Sequence, residues 1–356
     1  MKLLLISHGY LTDAVLDAAA RDGRFAHIVL AGRNAERGRA RIQAIRIAAA
    51  LEGEYPRLEF VPFDFNQAAA PEILKKIAPD VAFAAPSLLP REKLQATTDA
   101  KLRAIPPGGW LACHLSPMLR LREAWEKSGL SCPWVAASFP DLVNAILHLT
   151  GAGPTTGSGG IAVCVPQIRL LAAQQAKAPP AEIVVRLVTG RALADCLAGE
   201  APKEWPPYML QVTWHGQDIT LAIRDKVKAK HPQQTQADRY RIAAASVLDV
   251  LAALGDERPK ELHVPAPNGL VGGYPAKISR RGAVFDLPQQ WDLEKAIGIN
   301  ATALAFDGIA TLDKNGAVAF TDRAAAALQA VLGEKIERLR PSEVHGMAEK
   351  LVAVAG

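Results

Sequence analysis

The constraint that most narrows the fold of this chain lies in its first thirty-five residues. Residues 2–6 (KLLLI) form a short unbroken apolar run, the pattern of a parallel strand covered on both faces. The run stops at Ser7-His8-Gly9-Tyr10, after which Thr12 or Asp13 can cap a helix carrying Ala14, Val15, Leu16, Ala18 and Ala19. Gly23 ends that helix, and residues 27–31 (HIVLA) make a second strand closed by Gly32. Strand, glycine turn, helix and strand in so short a span form the β-α-β unit of a Rossmann-type domain.

The alternation continues. Residues 34–52 are helical and rich in Ala and Arg, residues 58–63 form a strand ending on Asp64, residues 71–77 a helix and residues 81–85 a fourth strand. Segments 110–114 and 134–138 bring the series to about six strands. Strand and helix alternating across short connections imply a doubly wound parallel sheet. Beyond Asp141 the texture changes. A helix at 142–149 leads into a glycine-dense loop at 151–160, and residues 182–189, 208–214 and 218–223 alternate as antiparallel strands do. A helix at 237–254 precedes a Pro- and Gly-rich loop at 264–275 and a strand pair around 277–285. Asp313-Lys-Asn-Gly316 between apolar runs marks a hairpin, and residues 321–332 and 342–354 read as helices.

The expected fold is therefore α/β: an N-terminal Rossmann-type doubly wound parallel sheet, then an α+β domain with a mixed or antiparallel sheet. The domains would be 1–140 for dinucleotide binding, 141–320 for substrate binding or dimerisation, and 321–356 as helices packing back on the first. The chain's 356 residues exceed what one hydrophobic core comfortably fills.

Charge and cysteines exclude several function classes. The net charge of +5 is spread among acidic neighbours, so no basic tract marks a nucleic-acid partner. The four cysteines form no CxxC pair and no His stands at ligand spacing, which points to reduced thiols and no metal. The N-terminal apolar run is too short for a signal peptide, and no stretch is long enough to span a bilayer. The expectation is a soluble cytoplasmic protein with a small-molecule substrate and no membrane partner. Edge strands of the second domain would be the surfaces for a homodimer. No hydrolase elbow or Walker loop is present.

A dinucleotide fingerprint needs three small positions after the first strand, and here they are Gly9, Leu11 and Ala14. Gly9 permits the tight turn and Ala14 permits helix packing. Leu11, next to Tyr10, places a branched side chain where backbone should approach a pyrophosphate, and Asp13 would repel it. The second strand carries the opposite signal. It ends Gly32-Arg33-Asn34 with Arg37 one turn on, so Arg33 can stack on adenine and pair with a 2′-phosphate, favouring NADP over NAD. Asp64, Ala85 and Pro86, at the ends of the third and fourth strands, complete the candidate cofactor contacts.

The segment VLAGRNAERGRA resembles the second-strand segment of the saccharopine-dehydrogenase-like reductases, whose NADP-binding members carry Gly-Arg-Asn there. Ala84-Ala85-Pro86 is similar to that family's apolar-Pro turn near the nicotinamide. The resemblance is carried by the first 150 residues, and the sequence departs from the family at Leu11 and at His8, where a second glycine is usual. It implies an NADP-dependent oxidoreductase acting on a carbonyl or imine of a carboxylate-bearing, amino-acid-like metabolite.

Three clusters are candidates for a substrate cleft. His114 and Ser116, expected after a sheet strand, offer a proton donor and a substrate contact, or else a polar strand end with a capping Ser. At the domain junction Asp141 is expected to cap a helix, with Asn144 one turn in to meet a substrate amide. The adjoining glycines of 157–160 could bind an anion or merely link domains. In the loop from His263 to Pro275, Asn268 is a substrate contact, Tyr274 a proton donor and Lys277 a carboxylate anchor, against a plain crossing loop. The rival to the oxidoreductase is a Rossmann-fold binding or partner subunit that has lost its dinucleotide, for which Leu11 and Asp13 are the evidence.

Overall fold

The first five strands of the first sheet divide their side chains between two separate cores, which is why the sheet is central. The computed structural model describes residues 1–200 and 202–355. Strand β1 (Lys2–Ile6) is followed by α1 (Tyr10–Ala20), β2 (His27–Gly32), α2 (Ala35–Leu51), β3 (Arg57–Pro62), α3 (Ala70–Ile77) and β4 (Val81–Ala84). Short helices α4 (Arg91–Ala96) and α5 (Ala100–Ala104) lead to α6 (Leu111–Ser128), β5 (Trp134–Ala136), α7 (Pro140–Thr150) and β6 (Thr156–Gly157). The six strands pair in parallel in the order β3-β2-β1-β4-β5-β6. Leu4, Ile6, Val29, Ala31, Ala82 and Ala84 face a core shared with α3, α6 and α7. Leu3, Leu5, Ile28, Leu30, Val81 and Phe83 face the other, shared with α1 and α2. The period of two along each strand thus separates the two layers of helices.

The second half begins with α8 (Ile161–Ala176), β7 (Ile183–Thr189), α9 (Ala192–Leu197), β8 (Tyr208–Trp214), β9 (Gln217–Asp218), α10 (Thr220–Val227) and α11 (Gln236–Leu254). Next come β10 (Lys260–Pro265), β11 (Gly273–Ser279), β12 (Gly282–Phe285) and α12 (Leu293–Ala303). Their antiparallel sheet runs β10-β11-β7-β8-β9, with β12 beside β11. A three-stranded sheet, β13 (Ile309–Leu312), β14 (Val318–Phe320) and β15 (Arg338–Leu339), accompanies α13 (Asp322–Leu332) and α14 (Val344–Ala355). The hairpin expected at 313–316 joins β13 to β14, its turn held by Asp313 accepting from the Asn315 and Ala317 N–H groups. Helix α14 lies against α6, where the hydroxyl of Ser116 and Nδ1 of His345 are 2.8 Å apart. Helix α11 crosses back to cover α1, so the second half completes the first sheet's own core.

Three local expectations change. Segment 110–114 is a helical turn and the start of α6, not a strand. Its apolar run continues past Pro117 with Met118, Leu121 and Trp125 buried, and a short apolar run does not separate a buried strand from a buried helix. The sixth strand is instead β6, inside the glycine-dense loop. Residues 218–223 turn into α10, because Asp218 accepts from the Thr220 N–H and the buried Ile223 and Val227 are four apart. Helix α1 starts at Tyr10 with Gly9 at its cap position, so neither Thr12 nor Asp13 caps it.

Close packing of α2 on β3 depends on Gly38. A Cβ there would stand 2.1 Å from the Phe60 ring. Gly38→Ala, which would stabilise an open helix, is expected to destabilise this protein by about 1–3 kcal/mol in urea denaturation. A neutral or stabilising result would show that the Phe60 ring yields freely.

Candidate functional site

Parallel strands joined by crossover helices leave all their carboxyl ends on one edge, and the candidate residues gather there. At the end of β1, Ser7 takes a left-handed backbone with φ of 88°, and Gly9 faces open space. The turn is not bare. His8 Nδ1 lies 3.4 Å from Asp13 Oδ1, and Arg41 Nε approaches the same oxygen at 3.7 Å. Leu11 packs toward the α1–α11 core, while Tyr10, largely exposed, stacks on Tyr240 of α11 with ring centroids 6.0 Å apart. At the end of β2, Arg33 and Arg37 are exposed and make no side-chain ion pair among the described residues. Asn34 caps α2, its Oδ1 accepting from the Arg37 N–H at 2.9 Å. Asp64 turns inward on its own loop, accepting from Asn66. At the end of β4, Ala85 is half-buried and the carbonyl of buried Pro86 accepts from Ser138 Oγ at 2.6 Å.

The other half of the edge, around β5 and β6, holds the chemistry. Phe139 adopts φ of 49° and turns the chain so that Pro140 and Asp141 open α7. Asp141 does not cap that helix; no side chain does. Its carboxyl is 2% exposed and has no side-chain hydrogen-bond partner among the described residues, only the backbone N–H groups of Arg191 and of Asp141 itself. Burial raises its pKa most, the nearby Asp307 adds to this and Arg191 opposes it, leaving Asp141 at about 7. Asn144 follows one turn on, fully buried, with its amide also without a partner. Gly157 lets these elements meet, since a Cβ would lie 2.5 Å from Pro140 and 2.8 Å from Pro265. Gly160, the residue before α8, would bring a Cβ 3.3 Å from Asp141 Oδ1.

Arg191 sits between the two domains and binds Asp195 and Asp307, its guanidinium 5.8 Å from the Phe139 ring centroid. Burial works against its charge, but the two carboxylates outweigh that and hold it protonated. Arg239 of α11 extends the chain of charges, binding Asp195 at 2.7 Å and Glu200 at 2.9 Å. Asn300 of α12 is buried nearby, donating to the Gly273 carbonyl at 3.1 Å with its own Oδ1 lacking a hydrogen bond.

The sequence-predicted residues divide accordingly. His114, in the first turn of α6, comes to the same edge because a crossover helix starts where a strand ends, and its ring is 6.2 Å from Phe139. Ser116, buried two residues on, is tied to His345. Tyr274 is fully buried, donates to the Val271 carbonyl at 2.9 Å, and is pushed up to about 12 by burial. Asn268 holds its loop through the Ala283 carbonyl, and Lys277 pairs with Asp286 at 2.8 Å on the exposed side of β11. Asp141 therefore meets Arg191 and Asp307, with Asn144 buried one turn on in the same helix, while Asn268 and Lys277 are engaged elsewhere. Arg191, Asp307 and Asn300 carried no local signal, being separated from Asp141 by long stretches of chain. Among the described residues no cluster of metal-ligating side chains occurs and no helix is long and apolar enough to cross a membrane.

No family model matches the chain, and no curated protein matches it. Solved structures do. The lactate dehydrogenase MGS-M5 from a Medee basin deep-sea metagenome library superposes with a TM-score of 0.59 at 12% identity, over 86% of this chain and 96% of that one. The Cryptosporidium parvum lactate dehydrogenase, solved with lactic acid and nicotinamide adenine dinucleotide, gives 0.58 at 14% identity, over 86% and 98%. A Plasmodium falciparum malate dehydrogenase in complex with NADH gives 0.53 at 12%, over 86% and 95%. At these identities the likeness establishes the fold: a six-stranded parallel Rossmann-like sheet with a second, antiparallel domain.

The Asp141 environment makes a sign-definite prediction. The unfolded chain loses this proton near 3.8, the folded protein near 7, so ionisation of Asp141 subtracts stability as pH rises between them. Asp141→Asn is expected to exceed the parent in stability at pH 8 by about 2–4 kcal/mol, the gap closing toward pH 4. Urea denaturation at both pH values decides it; equal stabilities at pH 8 would mean the carboxylate is already well solvated or paired.

Proposed function

We propose that this protein is a dinucleotide-dependent oxidoreductase interconverting a hydroxyl and a carbonyl on a small carboxylate-bearing hydroxy or oxo acid. The observation that carries this reading is Asp141: a buried carboxyl with no side-chain hydrogen-bond partner among the described residues, raised by burial to about 7, at the carboxyl edge of a Rossmann-like sheet. The fold it shares with lactate and malate dehydrogenases supports the reaction class.

The residues at the edge fit a dinucleotide in part. Gly9 leaves room at the head of α1, and Ala85 and Pro86 line the end of β4. Arg33 and Arg37 stand exposed at the end of β2, which favours a cofactor with a 2′-phosphate, hence NADP. The saccharopine-dehydrogenase-like resemblance of this segment is the narrower form of the same reading, with an imine in place of the carbonyl. A bound nicotinamide supplies or accepts the hydride. Asp141 takes the proton from the substrate hydroxyl during oxidation and returns it during reduction, as a pKa near neutrality allows. The Asn144 and Asn300 amides orient the substrate by hydrogen bonds. Arg191 anchors the charge balance, and His114 is the second candidate for proton exchange.

A specific observation favours a second reading, a Rossmann-fold partner subunit without a cofactor. The Asp13 carboxylate lies between His8 and Arg41 at the head of α1, where a pyrophosphate would need positive charge.

Titrating NADPH and NADH against the fluorescence of the six tryptophans separates the two. The oxidoreductase reading expects NADPH to bind, the Arg33→Ala, Arg37→Ala double variant to lose about tenfold or more in NADPH affinity while keeping that for NADH, and Asp141→Asn to lower turnover by about 10²–10⁴ with cofactor binding intact. Absence of binding by either cofactor at millimolar concentration overturns it. The second reading then expects Asp13→Asn to restore measurable affinity.

A further inference from the structure

Helix α2 shows one face to the sheet and an apolar stripe to solvent. Gly38, Ile42, Ile45 and Ala49 are its buried side. On the opposite side Ile47 is 55% exposed, Leu51 85% and, just past the helix, Tyr55 80%. Ala40 and Ala44 continue the line toward the N-terminus, both exposed, and Ala48 flanks it half-buried. A single exposed leucine needs no explanation, but Ile47 and Leu51 one turn apart, preceded by the exposed Ala40 and Ala44 and followed beyond the helix end by the exposed Tyr55, form a patch.

We infer that α2 is the surface through which two copies of this chain pair, helix against antiparallel helix across a two-fold axis. The stripe is self-complementary in size. With the axis between Ile47 and Ala48, Leu51 of each copy falls on Ala44 of the other and Ile47 on Ala48, so each large side chain of the helix meets a small one. A two-fold interface requires such reciprocal matching. It is also self-complementary in charge. The N-terminal half of α2 carries Arg37, Arg39 and Arg41, and the chain leaving its C-terminus carries Glu52 and Glu54. Arg39 and Glu54 make no side-chain ion pair among the described residues, while Arg41 and Glu52 approach Asp13 and Arg21 of their own chain. Antiparallel packing sets each basic half beside the other copy's acidic exit, with the helix dipoles opposed. This pairing does not depend on the proton chemistry proposed for Asp141.

The full-length protein tests the inference by light scattering after size exclusion, across a hundredfold concentration range. A dimer is expected, with Leu51→Glu and Ile47→Glu each weakening it tenfold or more; both positions are exposed, so the substitutions leave the protomer fold unchanged by circular dichroism. The double variant Ala44→Cys, Leu51→Cys reads out the register. Seven residues apart on one helix, the two thiols stand about 10 Å apart within a chain, too far to bridge. Oxidation is therefore expected to link two chains, and to do so far more than in either single variant. A parent that stays monomeric, a dimer indifferent to Leu51→Glu, or a double variant that cross-links no better than the singles would each overturn the inference.

Discussion

The burial of β1 on both faces is the constraint on which the rest of the structure depends. Leu3, Leu4, Leu5 and Ile6 have no exposed surface, so neither side of the strand can face water. A strand in that position must have parallel neighbours joined by helices that cover both faces, and a right-handed crossover is the connection that does so. Once that is imposed, the turns after β1, β2, β4, β5 and β6 must emerge on one edge. Gly9, Arg33, Pro86, Asp141 and Gly157 are brought together by topology before any of them makes a specific contact. The two core layers are then filled from far along the chain, α11 entering one and α14 the other.

Electrostatics at the domain junction follows from that closure. Asp141, Asp195 and Asp307 surround Arg191, so one cation faces three carboxyls with little water. Ionising all three would leave unpaired negative charge in a medium that solvates it poorly. The structure resolves the excess by ion-pairing Asp195 and Asp307 with arginines and leaving Asp141 to hold a proton. The same network therefore ties α9, α11 and the turn after α12 together and leaves Asp141 with a pKa raised to about 7. Losing Arg191 would remove an ion pair from both Asp195 and Asp307, so the pairing and the raised pKa of Asp141 involve the same side chain.

Much of the fold was legible because its signals are local. Residues 2–6 and 27–31 read as buried strands from composition, and 313–316 as a hairpin from turn chemistry. Segment 110–114 was misread because an apolar pentapeptide satisfies strand and helix equally, and the helical spacing of Met118, Leu121 and Trp125 appears only past a proline. The site was less legible. Asp141 looked like a helix cap, since an Asp near a helix start usually is one. What distinguishes it, burial beside another carboxyl, exists only when Gly160, Arg191 and Asp307 arrive from elsewhere. Tyr274 drew attention by its Pro- and Gly-rich loop, but those residues serve to bury its ring against Phe285, with centroids 5.5 Å apart.

Backbone strain points to the same edge as the charges. Ser7 follows β1 directly, Ala266 follows β10, and Phe139 lies three residues past β5; all three take positive φ without being glycine. Such conformations cost about 1–3 kcal/mol each and persist where surrounding contacts over-determine them. At Phe139 those contacts are visible: the Arg191 guanidinium on the ring, His114 beside it, and the Val143 N–H donating to its carbonyl. The turn at Phe139 leads directly into Pro140 and Asp141, the first two residues of α7, and the Asp141 carboxyl that follows it is buried and raised to about 7.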